Sequence, residues 1–318
     1  MKAVVLAGGF ATRLWPITRH RPKMLLPIGD ATVIDRVFAE LEADDRIDEV
    51  FVSTNAAFAD EFETYLADSE FTKPTLSVEE TTEEDEKFGV VGALAQLVDR
   101  EGIDDDLVVV AGDNLIGFDL AEFVDAFEAN DGPTLAAYDV ETREKATAYG
   151  VIDTEDGQVV DFEEKPDDPP STLVSIACYA FPRESLRFEE YLADGNNPDE
   201  PGWFIQWLQA QRTVRAFTFD EAWYDIGTPE GYLDAVSWAL DGQTIVADSA
   251  TVENANLGEN VHVMANATVT DASLDRSLVF PQGTVEDATL VDSIVDREAL
   301  VRGIDLSGGL VGAHSRLP

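Results

Sequence analysis

Ala3-Val4-Val5-Leu6-Ala7-Gly8-Gly9-Phe10-Ala11-Thr12-Arg13-Leu14-Trp15-Pro16 stands near the start of the chain. Its five apolar residues read as a strand buried on both faces. The two glycines that end the strand let backbone N–H groups approach an anion closely. Arg13 offers a planar fork of donors, and Lys23, in Arg21-Pro22-Lys23, offers a mobile point charge. Pro16, Pro22 and Pro27 stiffen the loop. The chain has 64 acids in 318 residues, yet none precedes Asp30, and the same stretch carries Lys2, Arg13, Arg19, Arg21 and Lys23. A segment kept positive inside a polyanion predicts a site for an anion. No Gly-Lys-Ser/Thr occurs, so this is not a Walker A loop, and no G-x-G-x-x-G supports a dinucleotide site.

Outward from this loop, strand-like and helix-like runs alternate to about Leu240. Strands are expected at Val50–Thr54, Leu107–Ala111, Thr134–Val140, Gly150–Asp153, Val159–Glu163, Leu173–Phe181 and Thr213–Phe219. Helices are expected at Val33–Ala43, Phe58–Leu66, Val91–Val98, Leu120–Ala129, Phe204–Gln211 and Glu230–Leu240. Such alternation predicts an α/β fold, a Rossmann-like, mostly parallel sheet with helices on both faces. Ligands then sit at the carboxyl ends of the strands, where Asp113 follows Val110-Ala111-Gly112. After Asp241-Gly242 the pattern changes to a repeat. Val269, Val285 and Val301 are 16 residues apart, as are Leu274, Leu290 and Leu306, and Leu278, Ile294 and Leu310. The first repeat, from Ala250, carries one extra residue. Short β-segments at a fixed period, with small residues at the turns, predict a parallel β-helix of about four coils. The expected domains are 1–241 and 245–318, and a small β-sandwich is the alternative for the second.

The formal net charge of −43 excludes polyanions as partners, so neither nucleic acid nor an anionic membrane is expected. Beyond the first 29 residues the acids are spread along the chain rather than gathered into a tail, and lysine is scarce. This reads as a surface built for molar salt, where screening relieves self-repulsion. The one cysteine, Cys178, rules out an internal disulfide and a multi-cysteine metal site, and points to a reducing cytoplasm. No apolar run is long enough for a signal peptide or a membrane span.

Gly8-Gly9-Phe10-Ala11-Thr12-Arg13-Leu14-x-Pro16-x-Thr18, followed by Pro22-Lys23 and Pro27, resembles the signature of nucleoside-diphosphate-sugar pyrophosphorylases, the sugar-1-phosphate nucleotidylyltransferases. The resemblance spans nearly the whole chain, and a left-handed β-helix tail occurs in several subfamilies. It implies transfer of a nucleotide from an NTP to a sugar 1-phosphate with Mg²⁺ and release of pyrophosphate. It implies that Arg13 and Lys23 hold phosphates, that Gly8 and Gly9 line the nucleotide, and that Leu6, Gly89 and Gly112 belong to the same site. Asp113, in a G-D motif, and Asp225, in Trp223-Tyr224-Asp225-Ile226-Gly227, match the family's metal-holding aspartates. Arg13, Lys23, Asp113 and Asp225 are thus the expected catalytic set. Gly150, in Tyr149-Gly150-Val151, and Glu164 and Lys165, in Glu164-Lys165-Pro166, match the sugar-phosphate segments. Two departures are visible. Ala11 replaces a customary glycine, and Ser175-Ile176-Ala177-Cys178-Tyr179 replaces an Asn-x-Gly pattern.

The chemistry needs no histidine base, because a sugar phosphate's second pKa is near 6 and its oxygen is already nucleophilic at neutral pH. Alignment and charge neutralisation are what the protein must supply. The family reads its base with Gln or Glu shortly before a Gly-x-x-Gly turn. Gly89-Val90-Val91-Gly92 matches the turn, and the preceding run from Glu79 to Glu86 holds acids and no glutamine. Through Pro201-Gly202-Trp203-Phe204-Ile205-Gln206-Trp207-Leu208 the chain most resembles the glucose-1-phosphate thymidylyl- and uridylyltransferases, which implies dTTP or UTP with glucose 1-phosphate. The alternatives are a mannose-1-phosphate guanylyltransferase and a non-catalytic regulatory paralogue that binds nucleotide sugars. An added acetyltransferase activity has thin material in four coils and His262. The β-helix is expected to serve assembly of a homo-oligomer, because the ends of a solenoid need covering.

Overall fold

The computed structural model describes residues 1–80 and 88–318. They form two compact units: Met1–Gly8 with Asp35–Trp223, and Gly9–Ile34 with Tyr224–Pro318.

The first unit is built on a nine-stranded sheet. Its strands are β1 (Lys2–Leu6), β2 (Glu49–Asn55), β3 (Pro74–Glu79), β4 (Leu107–Ala111), β5 (Thr134–Asp139), β6 (Gly150–Glu155), β7 (Gln158–Glu164), β8 (Leu173–Phe181) and β9 (Arg215–Thr218). Their order is β3-β2-β1-β4-β8-β5-β9-β7-β6. The first four run parallel. Beyond them β8 is antiparallel to both β4 and β5, β9 is parallel to β5, and β7 and β6 are antiparallel. The Rossmann-like half is therefore β3 to β4, and hairpin pairing takes over where β6 and β7 are joined by a short turn. β1 and β4, every inner residue fully buried, are the apolar runs expected of strands covered on both sides.

The helices of this unit include α1 (Val33–Ala43), which starts at the end of the other unit, then α2 (Ala59–Asp68), α3 (Gly89–Arg100), α4 (Leu120–Glu128), α5 (Arg143–Ala146), α6 (Phe188–Ala193) and α7 (Pro201–Gln209). α3 shows why they dock: Val91, Leu94, Ala95 and Leu97 form one apolar face and join the core with Phe188, Phe204 and Leu208 from α6 and α7. Asp119 caps α4 through a bond from Ala121 N, and α7 begins on Pro201, where a missing N–H costs nothing.

In the second unit, α8 (Pro229–Leu240) is capped by Thr228. It is followed by three parallel sheets of five, five and four short strands. In each sheet every strand pairs in parallel with the strand one coil later, for example Val269 with Val285 and Val285 with Val301. This is a parallel β-helix, consistent with the left-handed form. Val263, Val269, Leu274, Val279, Val285, Leu290, Val295 and Val301 fill its interior. Residues with positive φ mark its corners in three columns. One column is Asn254, Asp271, Asp287 and Gly303. The second is Asn260, Arg276, Asp292 and Gly308, and the third is Asn266, Gln282, Glu298 and His314. The second and third columns keep a strict 16-residue step, whereas the first opens with a step of 17. The extra residue is thus confined between the corners Asn254 and Asn260.

Candidate active site

Parallel pairing brings the carboxyl ends of β1, β2, β3 and β4 to one edge of the first unit. Leu6 lies opposite Ser53 on one side and Ala111 on the other. Gly112 N donates to Leu6 O at 2.9 Å, so the Gly112-Asp113 turn is held against the end of β1. On the other side Asn55 Nδ2 donates to Gly8 O at 2.8 Å. Glu79, the last residue of β3, is 8 % exposed, and its carboxylate accepts from Ser53 Oγ at 3.2 Å. Burial pushes the Glu79 carboxyl above the usual carboxylate range, partly offset by the Ser53 bond and by Arg100. Its Oε1 is 4.0 Å from where a side chain on Gly8 would begin. Leu6, Gly8, Gly112 and Asp113 therefore gather at this edge, with Glu79 beside them.

Asp113 is half-buried and oriented by a relay. Trp223 Nε1 donates to Asn114 Oδ1 at 2.7 Å, and Asn114 Nδ2 donates to Asp113 Oδ1 at 3.0 Å. Both Asn114 and Trp223 are buried, so the carboxylate is aimed by groups that cannot easily turn.

Gly150, Glu164 and Lys165 also meet. Antiparallel pairing sets Gly150 of β6 opposite Glu164 of β7. A Cβ on Gly150 would lie 2.9 Å from Glu164 Oε2 and collide with the Phe162 ring, and a Cβ on Gly202 would collide with the Glu164 carboxylate. The carboxylate is thus slotted between two glycines that must stay glycines. Burial pushes its pKa up to about 7, Glu200 pushes the same way, and Lys165 opposes. Lys165 has φ +46°, donates its N–H to Tyr149 O at 3.0 Å, and pairs through Nζ with Glu200. Gly89, at φ +73°, opens α3 against the segment before α7. Val91 N donates to Pro198 O at 2.9 Å, and a Cβ on Gly89 would run into that carbonyl.

The second unit holds Gly9, Arg13, Lys23 and Asp225. Lys23 is 9 % exposed, with Cε 3.9 Å from where a Gly9 side chain would begin. Ala11 takes the left-handed conformation, φ 48° and ψ 49°, that a glycine adopts without strain. Thr18 Oγ1 closes the turn by donating to Ala11 O at 2.8 Å. Arg13 is exposed, and its Nη2 lies 2.9 Å from a Cβ built on Gly227. Asp225 Oδ1 accepts from Gly227 N at 2.9 Å and lies 3.1 Å from that same point. Gly227 is what lets the guanidinium and the carboxylate share the space above it.

Each unit offers carboxylate oxygens, the donor type that Mg²⁺ prefers: Asp113 in the first and Asp225 in the second. Among the described residues no cluster of three or more His, Cys, Asp or Glu stands ready to hold a metal by protein groups alone. Cys178 and His262 lie outside this chemistry. Both are buried, burial raising the pKa of the thiol and lowering that of the imidazole. Asn114, Trp223, Glu200 and Gly202 are not among the site residues that the sequence points to. Asn114 and Trp223 stand inside the G-D and W-x-D-x-G segments, and only their side-chain bonds mark them. The acid run after Glu80 lies outside the described residues.

The chain is 29% identical over 270 residues to the low-salt glycan biosynthesis nucleotidyltransferase Agl11 of Haloferax volcanii, covering 80% of this chain and 71% of that protein. It is 28% identical over 347 aligned positions to a glucose-1-phosphate thymidylyltransferase of Streptomyces griseus, covering 99% and 92%. In fold it matches the crystal structure of a UDP-glucose pyrophosphorylase bound to UDP-glucose with a TM-score of 0.64 at 23% identity, over 74% of this chain and 97% of that one. No described helix is long and apolar enough to cross a membrane. The nucleotidyl transferase family model matches residues 2–241, and the chain belongs to that family.

Proposed function

We propose that the protein transfers a nucleotidyl group from an NTP to a sugar 1-phosphate. The observation that carries this is the placement of two of its six lysines. Lys23 lies against Gly9 in the acid-free loop, and Lys165 lies beside the slotted Glu164 carboxylate. One suits a triphosphate and the other a phosphate whose sugar hydroxyls face a carboxylate. A phosphate oxygen of the sugar 1-phosphate attacks the α-phosphorus in line. The bond from the α-phosphorus to the bridging oxygen breaks, and pyrophosphate leaves. Arg13 and Lys23 neutralise the triphosphate. Gly8, Gly9, Leu6, Gly89 and Gly112 line the nucleotide, and Gly150, Glu164 and Lys165 hold the sugar phosphate. Asp113 and Asp225 would hold Mg²⁺, which, when bound, supplies charge neutralisation at the phosphate oxygens. Residues 1–241 make up the catalytic domain, and 245–318 a β-helix that supports a homo-oligomer in the cytoplasm.

For the substrates, dTTP or UTP with glucose 1-phosphate is the first reading, supported by the near full-length similarity to a thymidylyltransferase. A second reading, a mannose-1-phosphate guanylyltransferase, turns on the protonation state of Glu79. An ionised carboxylate offers two acceptors, which match the N1–H and N2–H donors of guanine. A protonated one offers a donor and an acceptor, as a glutamine amide does, and matches thymine or uracil. The test is pyrophosphate release in molar KCl with Mg²⁺ across five NTPs and the 1-phosphates of glucose, mannose, galactose and N-acetylglucosamine. One pair should dominate, and Asp113→Asn should lower its rate at least a hundredfold. A folded protein that binds a nucleotide sugar and releases pyrophosphate with no pair would instead be a regulatory paralogue.

A further inference from the structure

Arg21 lies in the same loop as Arg13 and Lys23, but its charge is already used. Its guanidinium pairs with the Asp296 carboxylate and sits 5.0 Å over the ring of Phe280. Asp296 and Phe280 belong to the β-helix and are 1 % and 2 % exposed. Asp296 also accepts from Arg297 N at 2.6 Å. Two more points pin the loop. Pro16 packs so closely on Gly312 that a Cβ there would lie 2.8 Å from the proline ring. Tyr232, fully buried in α8, donates its hydroxyl to Pro27 O at 2.7 Å.

We infer that Asp296 is a positioning residue for nucleotide transfer: through Arg21 it holds the Gly9–Ile34 loop in the shape that presents Arg13 and Lys23 to the nucleotide's phosphates. The inference rests on the phosphate-holding role proposed above for those two cations. A carboxylate this buried is costly unless paired, so the Arg21 contact is strongly specified rather than one of many surface options. The stacked Phe280 ring restricts the guanidinium further. Pro16, Arg21 and Pro27 bracket Lys23, so the segment between them has few ways to rearrange. A loop fixed before the ligand arrives spares the ordering cost that a loose one would incur on binding. The β-helix then contributes to nucleotide affinity through the loop that it holds.

The test uses the full-length chain in molar KCl. Titration calorimetry with UTP, dTTP and GTP gives Kd without sugar phosphate, and steady-state kinetics give KM for both substrates. Asp296→Asn should weaken binding of the preferred NTP at least tenfold and leave KM for the sugar phosphate within twofold. The double variant Arg21→Met/Asp296→Leu, which leaves no unpaired buried charge, should lose less than the two single variants combined. Both KM values moving alike, or neither moving while the unfolding midpoint falls, would reduce Asp296 to a purely structural residue. If Asp296→Asn does not fold, Arg21→Lys carries the same comparison, since it keeps the charge and loses the fork. A wild-type protein that binds an NTP yet transfers nothing would overturn the proposed reaction and leave the Kd comparison intact as a test of the anchor.

Discussion

Glu164 couples burial to acidity. Its pKa is pushed up to about 7 from an ordinary 4.5. Between those values the folded protein keeps a proton that the unfolded chain has lost, so this group's contribution to stability is full below pH 4.5 and is lost as pH rises through 7. Glu164→Gln is therefore expected to melt higher than the parent at pH 8 and to lose that advantage at pH 4.5. If the ionised form accepts the sugar hydroxyls, KM for the sugar phosphate should rise as pH falls below 7. Glu164→Gln should lack the limb that the carboxylate adds to the phosphate's own titration. Gly202→Ala puts a methyl where the carboxylate lies. It should raise that KM at least tenfold and leave the Kd for NTP unchanged. Ala11, held in the left-handed region, carries strain of about 1 kcal/mol. Ala11→Gly relieves it at some cost in chain entropy, and thermal unfolding should show no loss of stability.

At the level of elements, the most regular part of the chain is the easiest to read. The valine and leucine columns at 16-residue spacing are the interior of the β-helix, and Leu290, fully buried between coils, illustrates the energetics. Leu290→Ala should cost about 2–5 kcal/mol in denaturant unfolding, as for a large-to-small change in a packed core. The buried runs at β1 and β4 are equally plain. β3 is not, because Pro74-Thr75-Leu76-Ser77-Val78-Glu79 mixes a proline with polar residues. It is an edge strand, paired on one side, where a proline at the first position is tolerated and one face meets water. α6 escapes a sequence reading for a related reason: six residues are too short for a helical period to show. The site divides similarly. Arg13, Lys23, Asp113 and Glu164 stand in dense motifs, so their residue types carry the signal. Glu200 meets Lys165 from 35 residues away, and Trp223 meets Asn114 from 109 away. Contacts made by folding leave no local pattern. The same holds for Arg21, whose partner lies 275 residues further on.

On the scale of the whole molecule, charge outweighs every other feature of the surface. A net charge of −43 repels itself in dilute buffer and is screened within about 3 Å at 1 M salt. The unfolding midpoint and the activity are both expected to rise steeply from about 0.1 to about 2 M KCl. A protein equally stable and active at both concentrations would show the acids to be energetically idle. Light scattering in high salt is expected to show an oligomer, with a strict monomer as the contrary result.

The corners of the β-helix have one more consequence. From the second coil on, each left-handed corner residue donates its N–H to the coil before it, as Asp287 does to Thr270 O and Asp292 to Asp275 O. Alignment is thereby renewed at every bend instead of being carried along the chain. The seventeenth residue of the first turn, shut between Asn254 and Asn260, disturbs neither later column. The solenoid is in this sense a self-correcting ruler. A segment grafted between two bends of that face can swell outward without shifting any other turn, while one residue added inside a flat run such as Thr284–Glu286 would reverse every side chain up to the next bend.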